Sequence, residues 1–389
     1  MNRPLIAILA GLLLVTSVLS VPGVAAQATT NERLAPVEGA ASNTTRMLHL
    51  DTVDQRGFGT ASTSVTAAVG SEAGAGAATL TQYAVAQEFE DSPSAGERAL
   101  DEAIAVSADR IVALETREQR ARDRFRAGEI GVGQYLAVLG SVNREAHAIE
   151  SSLDHFETRT QNESLQDRVR ALQTDTARSV GPISDAVGSA VAGGPETDRI
   201  YVAAADHGVV LGGLRGGEYV REATRTDARD GTVGTIDLGA AQDRIGELYP
   251  WAWTNKGDVS INTVGADVFR FQLSHDHGRL NSLLDTSSGN VYREVQQKSL
   301  ANLPVAPGPS TTAGNLTLQV SAPDPGSPLR VQVTNESGSQ VPASVSINDT
   351  YVGQTGPESS VWTLAPPENF TVTAEADDRE LELDVNSRA

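Results

Sequence analysis

The sequence predicts a multidomain protein with three folded parts: an α-helical hairpin within a three-helix bundle, a small α+β domain, and an all-β sandwich. Two observations support this order. Between Gly96 and Phe156, apolar residues recur in alternating steps of four and three, which is typical of helices packed along one face, as in a coiled coil. After Pro195 the pattern changes to short alternating segments between glycine-rich turns, which is typical of antiparallel strands.

Composition and charge narrow the classes of partner. The chain of 389 residues has 50 acidic and 30 basic residues, for a net charge of −20, and only Lys256 and Lys298 are lysines. Such an acidic, lysine-poor surface is typical of a halophile, because in molar salt a Debye length of about 3 Å screens its self-repulsion. An ordinary acidic secreted protein is the alternative. Nucleic acid is not an expected partner, because phosphate binding needs a basic surface.

Residues 1–26 have the pattern of a secretory signal peptide. Arg3 precedes an apolar run from Leu5 to Val21, and Val24 and Ala26 stand where a cleavage site needs small residues. An uncleaved membrane anchor is the alternative. The absence of cysteine excludes disulfides and thiol catalysis. We therefore expect an extracellular or cell-surface protein without a membrane span after signal cleavage.

Residues 27–95 are predicted to form a linker with short elements of secondary structure. Residues 46–50 have the composition of a short strand, and residues 71–76 have the composition of a flexible Ser/Gly/Ala break. The apolar residues within 77–89 have helical spacing. The segment Asp91–Ser94 then offers N-cap candidates for the hairpin.

Residues 96–190 are predicted to form the antiparallel helical hairpin and bundle. Its two arms flank a glycine-rich break at 128–133, where the chain must reverse, so Phe125 and Tyr135 should lie close together. A third helix is expected from Leu165 to Val180, because two helices alone would leave an apolar seam open.

Residues 196–300 are predicted to form the α+β domain. Three strands are expected within 200–223, followed by a helix with Asp237 as its N-cap and Pro250 as its end. A strand meander follows, within 268–295.

The helix and the end of the meander, Asp285-Thr-Ser-Ser-Gly-Asn-Val-Tyr-Arg-Glu294, resemble the PepSY domain over about 237–296. Members of that family occur as propeptide segments that restrain peptidases. The resemblance therefore implies a peptidase regulator, and no inhibitory residue can be matched to the family.

Residues 301–312 are predicted to be a linker rich in Pro, Gly, Ser and Thr, and residues 313–389 to be the all-β sandwich. The runs Val331–Asn348 and Leu364–Ala374 resemble carboxypeptidase-regulatory and bacterial Ig-like surface modules, which implies an Ig-like fold and no particular ligand. The order of the parts also resembles that of uncharacterised secreted proteins of haloarchaea.

Few residues have the arrangement of a chemical site, and we expect no cofactor. His275-Asp276-His277 resembles a metal-ligand set, because alternate residues of a strand share a face. A solvated hairpin tip is the favoured alternative. His147 and His155 lie two helical turns apart and are expected on a solvated helix face.

Two further groups of residues allow a binding interpretation. Trp251 and Trp253 could form a carbohydrate platform, although packing against the adjacent helix is the favoured alternative. The aspartates of the sandwich could bind calcium, but they lack the spacing of a calcium loop. They are Asp324, Asp349, Asp377, Asp378 and Asp384. No serine motif with a nearby histidine is present, so we do not expect an enzyme.

Six N-x-S/T sequons mark possible N-glycosylation sites, as expected of a secreted glycoprotein. Four of them fall in the predicted sandwich, which favours a surface position for that module. Chance occurrence in a Ser/Thr-rich chain is the alternative. The asparagines are Asn43, Asn162, Asn315, Asn335, Asn348 and Asn369.

These features predict a non-catalytic secreted or cell-surface protein of a halophile, which acts as a structural or interaction module of the cell envelope. Its expected partner is a protein or another envelope component. The alternative is a regulator or inhibitor of an extracellular peptidase, acting through the PepSY-like stretch.

Overall fold

The computed structural model describes residues 44–321, 324–356, 360–376 and 379–387. A helical part comes first, followed by an eight-stranded antiparallel sheet and then by two four-stranded sheets. The predicted order, helices before β-sheets, is therefore present. The predicted signal peptide at 1–26 lies outside the described residues. None of the described helices is long and apolar enough to cross a membrane.

The helical part contains an antiparallel pair of long helices. Ser92 caps the first of the pair, because its hydroxyl oxygen accepts a hydrogen bond from the Ala95 amide at 3.2 Å. Gly128, with a φ of +72°, lies in the turn between them. Across the turn the Phe125 ring stacks on Tyr135, with 5.2 Å between ring centroids. The helices are α1 (Val65–Asp91), α2 (Pro93–Arg126), α3 (Val132–Glu157), α4 (Glu163–Thr176) and α5 (Pro182–Val191).

The break expected at 71–76 is absent, because α1 runs through it and includes the short helix expected at 77–89. Small residues there let α1 approach its neighbours closely. A Cβ atom added at Gly74 would lie 3.4 Å from the Arg110 guanidinium of α2. Tertiary packing thus overrides the weak helix propensity of glycine.

The third helix expected from Leu165 to Val180 is also shorter than predicted. It ends as α4 at Thr176, and a single 3₁₀ turn, Ala177–Ser179, follows it. Pro182 then starts α5 instead of only ending a helix, since proline is well placed at a first helical position.

The eight-stranded sheet joins two meanders through its central pair, β4 and β8. Its order is β1-β2-β3-β4-β8-β7-β6-β5, and all neighbours are antiparallel. The strands are β1 (Gln55–Gly59), β2 (Ile200–Ala205), β3 (Gly208–Arg215), β4 (Glu218–Arg225), β5 (Lys256–Val264), β6 (Val268–His275), β7 (Gly278–Asp285) and β8 (Val291–Ser299). Between β4 and β5 lie α6 (Leu238–Leu248) and α7 (Pro250–Thr254).

One expectation for this part is wrong, one is incomplete, and one strand was missed. Residues 46–50 form no strand, and β1 is the N-terminal segment that joins the sheet. The helix capped by Asp237 ends at Leu248, next to its predicted end, but Pro250 then starts α7, again as a first helical residue. Strand β5 was not expected, because as an edge strand it is largely exposed and lacks an apolar pattern.

The C-terminal part is a sandwich of two four-stranded sheets around one apolar core. Its sheets have the orders β14-β11-β10-β9 and β13-β12-β15-β16. The strands are β9 (Pro307–Ala313), β10 (Leu316–Ser321), β11 (Pro328–Asn335), β12 (Ala343–Ile347), β13 (Thr350–Thr355), β14 (Val361–Leu364), β15 (Phe370–Ala376) and β16 (Arg379–Val385). The linker predicted at 301–312 thus contains most of β9, an edge strand that tolerates its two prolines.

Candidate functional site

Four charged side chains lie almost wholly buried at the centre of the eight-stranded sheet. Strand β4 carries Arg221-Glu222 and its neighbour β8 carries Arg293-Glu294, with exposed fractions of 5%, 0%, 5% and 0%. Because side chains alternate along a strand, Arg221 and Glu294 share one face, and Glu222 and Arg293 share the other.

Each face of the sheet therefore holds one ion pair. Arg221 Nη1 lies 3.1 Å from Glu294 Oε1, and Arg293 Nη2 lies 3.0 Å from Glu222 Oε2. We call the first face the strap face, because residues 44–51, the strap, cross it. The second is the helix face, where α5 packs.

The strap is held on the sheet mainly through its backbone, without pairing as a strand. The Leu48 amide donates to Glu294 Oε2 at 2.9 Å, and the Leu48 side chain is buried. Four strap carbonyl oxygens each accept a hydrogen bond from a different side chain of the sheet. The donors are Lys298 to Thr45 (3.2 Å), Gln296 to Arg46 (2.5 Å), Arg221 to Leu48 (2.6 Å) and Arg225 to His49 (3.3 Å). Because most of these contacts reach backbone atoms, the strap face holds a stretch of chain largely through its main chain. The side chains of Leu48, Thr45 and Asp51 add contacts of their own.

Tyr249, at the junction of α6 and α7, completes the strap face. Its hydroxyl donates to Glu294 Oε2 at 2.7 Å, and its side chain fills the space beside that carboxylate. Burial raises the pKa of Tyr249 and lowers the pKa of the Lys298 ammonium to about 8. The strap face is thus a desolvated, buried polar site.

The His275-Asp276-His277 cluster lies against the strap, so the expectation of a solvated hairpin tip is wrong for His275. His275 is only 8% exposed, and its Nε2 lies 2.9 Å from the Thr45 hydroxyl. Its Nδ1 accepts from the His277 amide at 3.2 Å, which assigns the neutral ring proton to Nε2. Within the described ranges, no three His, Asp or Glu side chains are placed to hold a metal ion.

The stability of the protein is expected to fall as the pH is lowered from 6.5 to 4. Burial lowers the pKa of His275 to about 4, so in this window the unfolded chain binds a proton that the folded chain does not. The contribution of His275 is complete above its usual pKa of 6.5 and is lost as the pH falls toward 4.

We expect an effect on the order of 2 kcal/mol, since one pKa unit corresponds to about 1.4 kcal/mol and the ring is not fully shielded. Urea unfolding between pH 4 and 7 measures it. His275→Gln should flatten the profile by that amount, and the remaining slope comes partly from His49, whose pKa burial also lowers to about 4. Identical profiles for the wild type and His275→Gln would contradict the assignment.

Trp251 and Trp253 are half-buried, and Trp251 lies beside the same cluster. Trp251 stacks on the His277 ring with 4.5 Å between centroids, and Lys256 Nζ lies 4.4 Å from the centroid of the Trp253 ring. Both rings therefore already have partners within the chain, which agrees better with packing than with a carbohydrate platform.

On the helix face, Glu222 binds the start of α5. One carboxylate oxygen accepts from the amides of Ile183 (2.5 Å) and Ser184 (3.3 Å), and the other accepts from the Ser184 hydroxyl at 2.6 Å. A carboxylate at a helix N-terminus is favoured by the unpaired amides and the helix dipole. Arg293 also donates to the Val180 carbonyl oxygen at 2.9 Å, which fixes the segment that leads into α5.

A cavity of about 240 Å³ lies between this face and α2 and α3. Glu118 on its wall accepts from the Tyr135 hydroxyl at 3.0 Å and from Arg122 at 2.8 Å, and burial raises the pKa of Glu118. Arg178, which also lines the cavity, pairs with Glu115. Burial, and then the nearby Arg229, lower the pKa of Arg178 to about 10.

The two histidines of α3 do not form a site. His147 is partly exposed, and its Nε2 lies 2.8 Å from Asp185 in α5, so it links two helices instead of only meeting solvent. His155 is half-buried, and burial lowers its pKa.

Five of the six predicted glycosylation sites lie among the described residues, and Asn43 lies outside them. In each of the five, the side-chain oxygen accepts a hydrogen bond. The side-chain nitrogen Nδ2, which would carry a glycan, has no described protein partner. The donors are Ser164 to Asn162, Arg379 to Asn315, Ser337 to Asn335, Thr371 to Asn348 and Ser387 to Asn369. Of the aspartates considered for calcium, Asp377 and Asp378 also lie outside the described residues.

Sequence reasoning missed the four buried charges of the sheet. A signal was present, because the tripeptide Asp-His-Gly occurs twice and each copy precedes one of the two buried Arg-Glu pairs at a similar spacing. The two copies are Asp206-His207-Gly208 and Asp276-His277-Gly278. A repeat of this kind indicates two related meanders, and it singles out Arg-Glu as the part shared by their central strands.

The comparison with known families defines the C-terminal part first. Residues 309–383 match the archaeal fibronectin-III type-like domain, which confirms the predicted Ig-like module. Residues 200–304, which include seven of the eight sheet strands, match a family of unknown function, DUF7094.

Residues 1–196, half of the chain, match a domain of unknown function, DUF7096, and the chain belongs to that family. No curated protein and no solved structure matches the chain.

Proposed function

We propose that this protein is a non-catalytic, secreted or cell-surface component of the envelope that binds other proteins. The observation that carries the proposal is the strap, a stretch of chain held on a sheet face by buried charged and polar side chains. An extended segment of a partner protein has the same backbone groups, so the same side chains can bind it in place of the strap.

Sequence features support the location. The signal-peptide pattern at 1–26 and the net charge of −20 with only two lysines favour an extracytoplasmic position in a salt-rich environment. Four sequons on the fibronectin-III-like domain favour glycosylation of that module, since each asparagine leaves its Nδ2 without a described protein partner.

The test frees the strap without changing the side chains that bind it. A protease site inserted between Thr52 and Val53 allows the strap to be cut after the full chain has folded in molar salt. A fluorescently labelled peptide with the sequence of residues 44–51 is then added in excess. We expect the peptide to bind the cut protein and not the uncut protein, as measured by fluorescence polarisation.

A matched peptide with aspartate in place of Leu48 is the control. It should bind at least about tenfold more weakly, because burying this side chain contributes roughly 1.5–3 kcal/mol. Failure of the parent peptide to bind the cut protein would rule out a peptide-binding face.

A second test concerns the proposed salt-rich environment. Circular dichroism of the uncut protein should show helicity falling as the salt concentration drops from molar to about 0.1 M. Unchanged helicity across this range would contradict the halophilic assignment.

The second candidate is a regulator of an extracellular peptidase. Two observations favour it. Helix α6 is followed by an antiparallel meander, which is the pattern of the PepSY-like stretch. The strap face also binds a segment, residues 44–51, that does not pair as a strand. Inhibition of peptidases secreted by the same cells, measured with the full chain before and after strap cleavage, tests it. No inhibition in either form would exclude this function.

A further inference from the structure

The two buried ion pairs of the sheet differ in the hydroxyl group that completes them. On the strap face this group belongs to Tyr249, whose large ring fills the space beside Glu294. On the helix face it belongs to Ser184, which bonds to Glu222 at 2.6 Å and is much smaller. The cavity of about 240 Å³ lies beside Ser184 and Glu222, where the other face holds a tyrosine.

The cavity walls carry equal numbers of both charges. Three glutamates and three arginines line it, and each glutamate pairs with one arginine. The pairs are Glu115 with Arg178, Glu118 with Arg122, and Glu222 with Arg293. A lone anion or cation would leave this site with a net charge in a partly desolvated space. A molecule with one positive and one negative charge would leave the net charge of the site at zero.

Two of these side chains have bonding capacity to spare. Glu118 accepts one described hydrogen bond on each oxygen, whereas an ionised carboxylate offers about four lone-pair sites. Arg178 has one acidic partner for a guanidinium group with about five N–H donors. The raised pKa of Glu118 and the lowered pKa of Arg178 have the same origin, since burial leaves both charges incompletely compensated.

Two donors at this site also lack acceptors. Among the described residues, the Nε–H groups of Arg122 and Arg293 have no hydrogen-bond acceptor. Gln119, which is exposed, lines the cavity as well, so a solute can enter from solvent. The cavity volume is below the roughly 300–1,000 Å³ of pockets that hold drug-sized ligands, which limits the guest to a small molecule.

We propose that this cavity binds a small zwitterion of the amino-acid class, with its carboxylate at Arg178 and its ammonium group at Glu118. The site is separate from the strap and goes beyond the proposed protein-binding function. Such a ligand would tie α2 to the segment before α5, because Glu118 and Arg178 lie on these two elements.

Isothermal titration calorimetry and thermal unfolding of the full chain test the proposal. The probes are glycine, β-alanine and γ-aminobutyrate, which differ in the separation of their charges, with acetate and methylammonium as the two half-molecules. We expect at least one zwitterion to bind and to raise the melting temperature at concentrations where neither half-molecule does. Absence of binding by all three zwitterions would overturn the proposal, as would equal binding by a half-molecule.

Variants locate the site. Arg178→Gln and Glu118→Gln should each weaken binding about tenfold or more, because each removes one charge-assisted interaction. Arg330→Gln, the same change in the terminal sandwich, should bind as the wild type does. If either site variant fails to fold, Leu139→Phe, which narrows the cavity without removing a charge, should abolish binding. Wild-type affinity in Leu139→Phe would place the zwitterion elsewhere and overturn the assignment.

Discussion

Replacing Glu294 by alanine is expected to lower the free energy of unfolding by about 3–5 kcal/mol, the usual cost of removing one partner from a buried ion pair. Glu294 has no exposed surface and accepts from Arg221, the Leu48 amide and the Tyr249 hydroxyl. Its loss leaves the buried Arg221 guanidinium without its acidic partner, and the Leu48 amide and the Tyr249 hydroxyl without an acceptor. Urea unfolding measures the effect, and faster proteolysis within residues 44–54 should show that the strap has been released.

The exposed Glu375→Ala is the matched control for this prediction, and it should change stability by no more than about 0.5 kcal/mol. The double variant Arg221→Met, Glu294→Leu should recover part of the loss, because an apolar pair leaves no uncompensated charge. A loss below about 1 kcal/mol in Glu294→Ala would mean that the ion pair contributes little to holding the sheet and strap.

Phe125→Ala is expected to have a comparable effect, about 3–5 kcal/mol, through a different mechanism. The Phe125 side chain is 1% exposed and stacks on Tyr135, with an angle of 9° between the rings. It lies where α2 and α3 meet near their turn, in the same apolar cluster as Val202 and Leu211 of the sheet. Truncation therefore leaves a cavity at the junction of helices and sheet.

Thermal and urea unfolding, followed by circular dichroism, measure this change. Val112→Ala, on the same helix and 60% exposed, serves as the control and should cost less than about 0.5 kcal/mol. Equal stabilities of the two variants would show that the turn end of the hairpin is not part of the core. A second transition in Phe125→Ala alone would show that the helices and the sheet unfold separately.

The long helices α2 and α3 were predictable because their buried residues follow one stripe. Leu100, Ile104 and Ile111 are buried as the spacing indicates. The helix α1 was not predictable in its full length, because its Ala/Gly-rich sequence has no apolar stripe and is held by close packing. Strand β9 was taken for a linker because of its prolines, which only the edge of a sheet accommodates.

The candidate site was less accessible to sequence reasoning than the fold. Two adjacent charged residues are typical of an exposed segment, and only the burial of Arg-Glu on both β4 and β8 shows that both faces of the sheet are covered. His275-Asp276-His277 attracted attention as a metal-ligand set, whereas in the structure His275 bonds to the strap hydroxyl of Thr45. Burial by a segment more than 200 residues away in sequence leaves no local signal.

The order of charges on the two central strands also selects their alignment. A shift of β8 by one residue would turn all of its side chains to the opposite face of the sheet. Arg221 would then share a face with Arg293, and Glu222 with Glu294, so both faces would bury charges of like sign. Every such one-residue misalignment is therefore penalised on both faces, and electrostatic repulsion at the centre of the sheet selects against it.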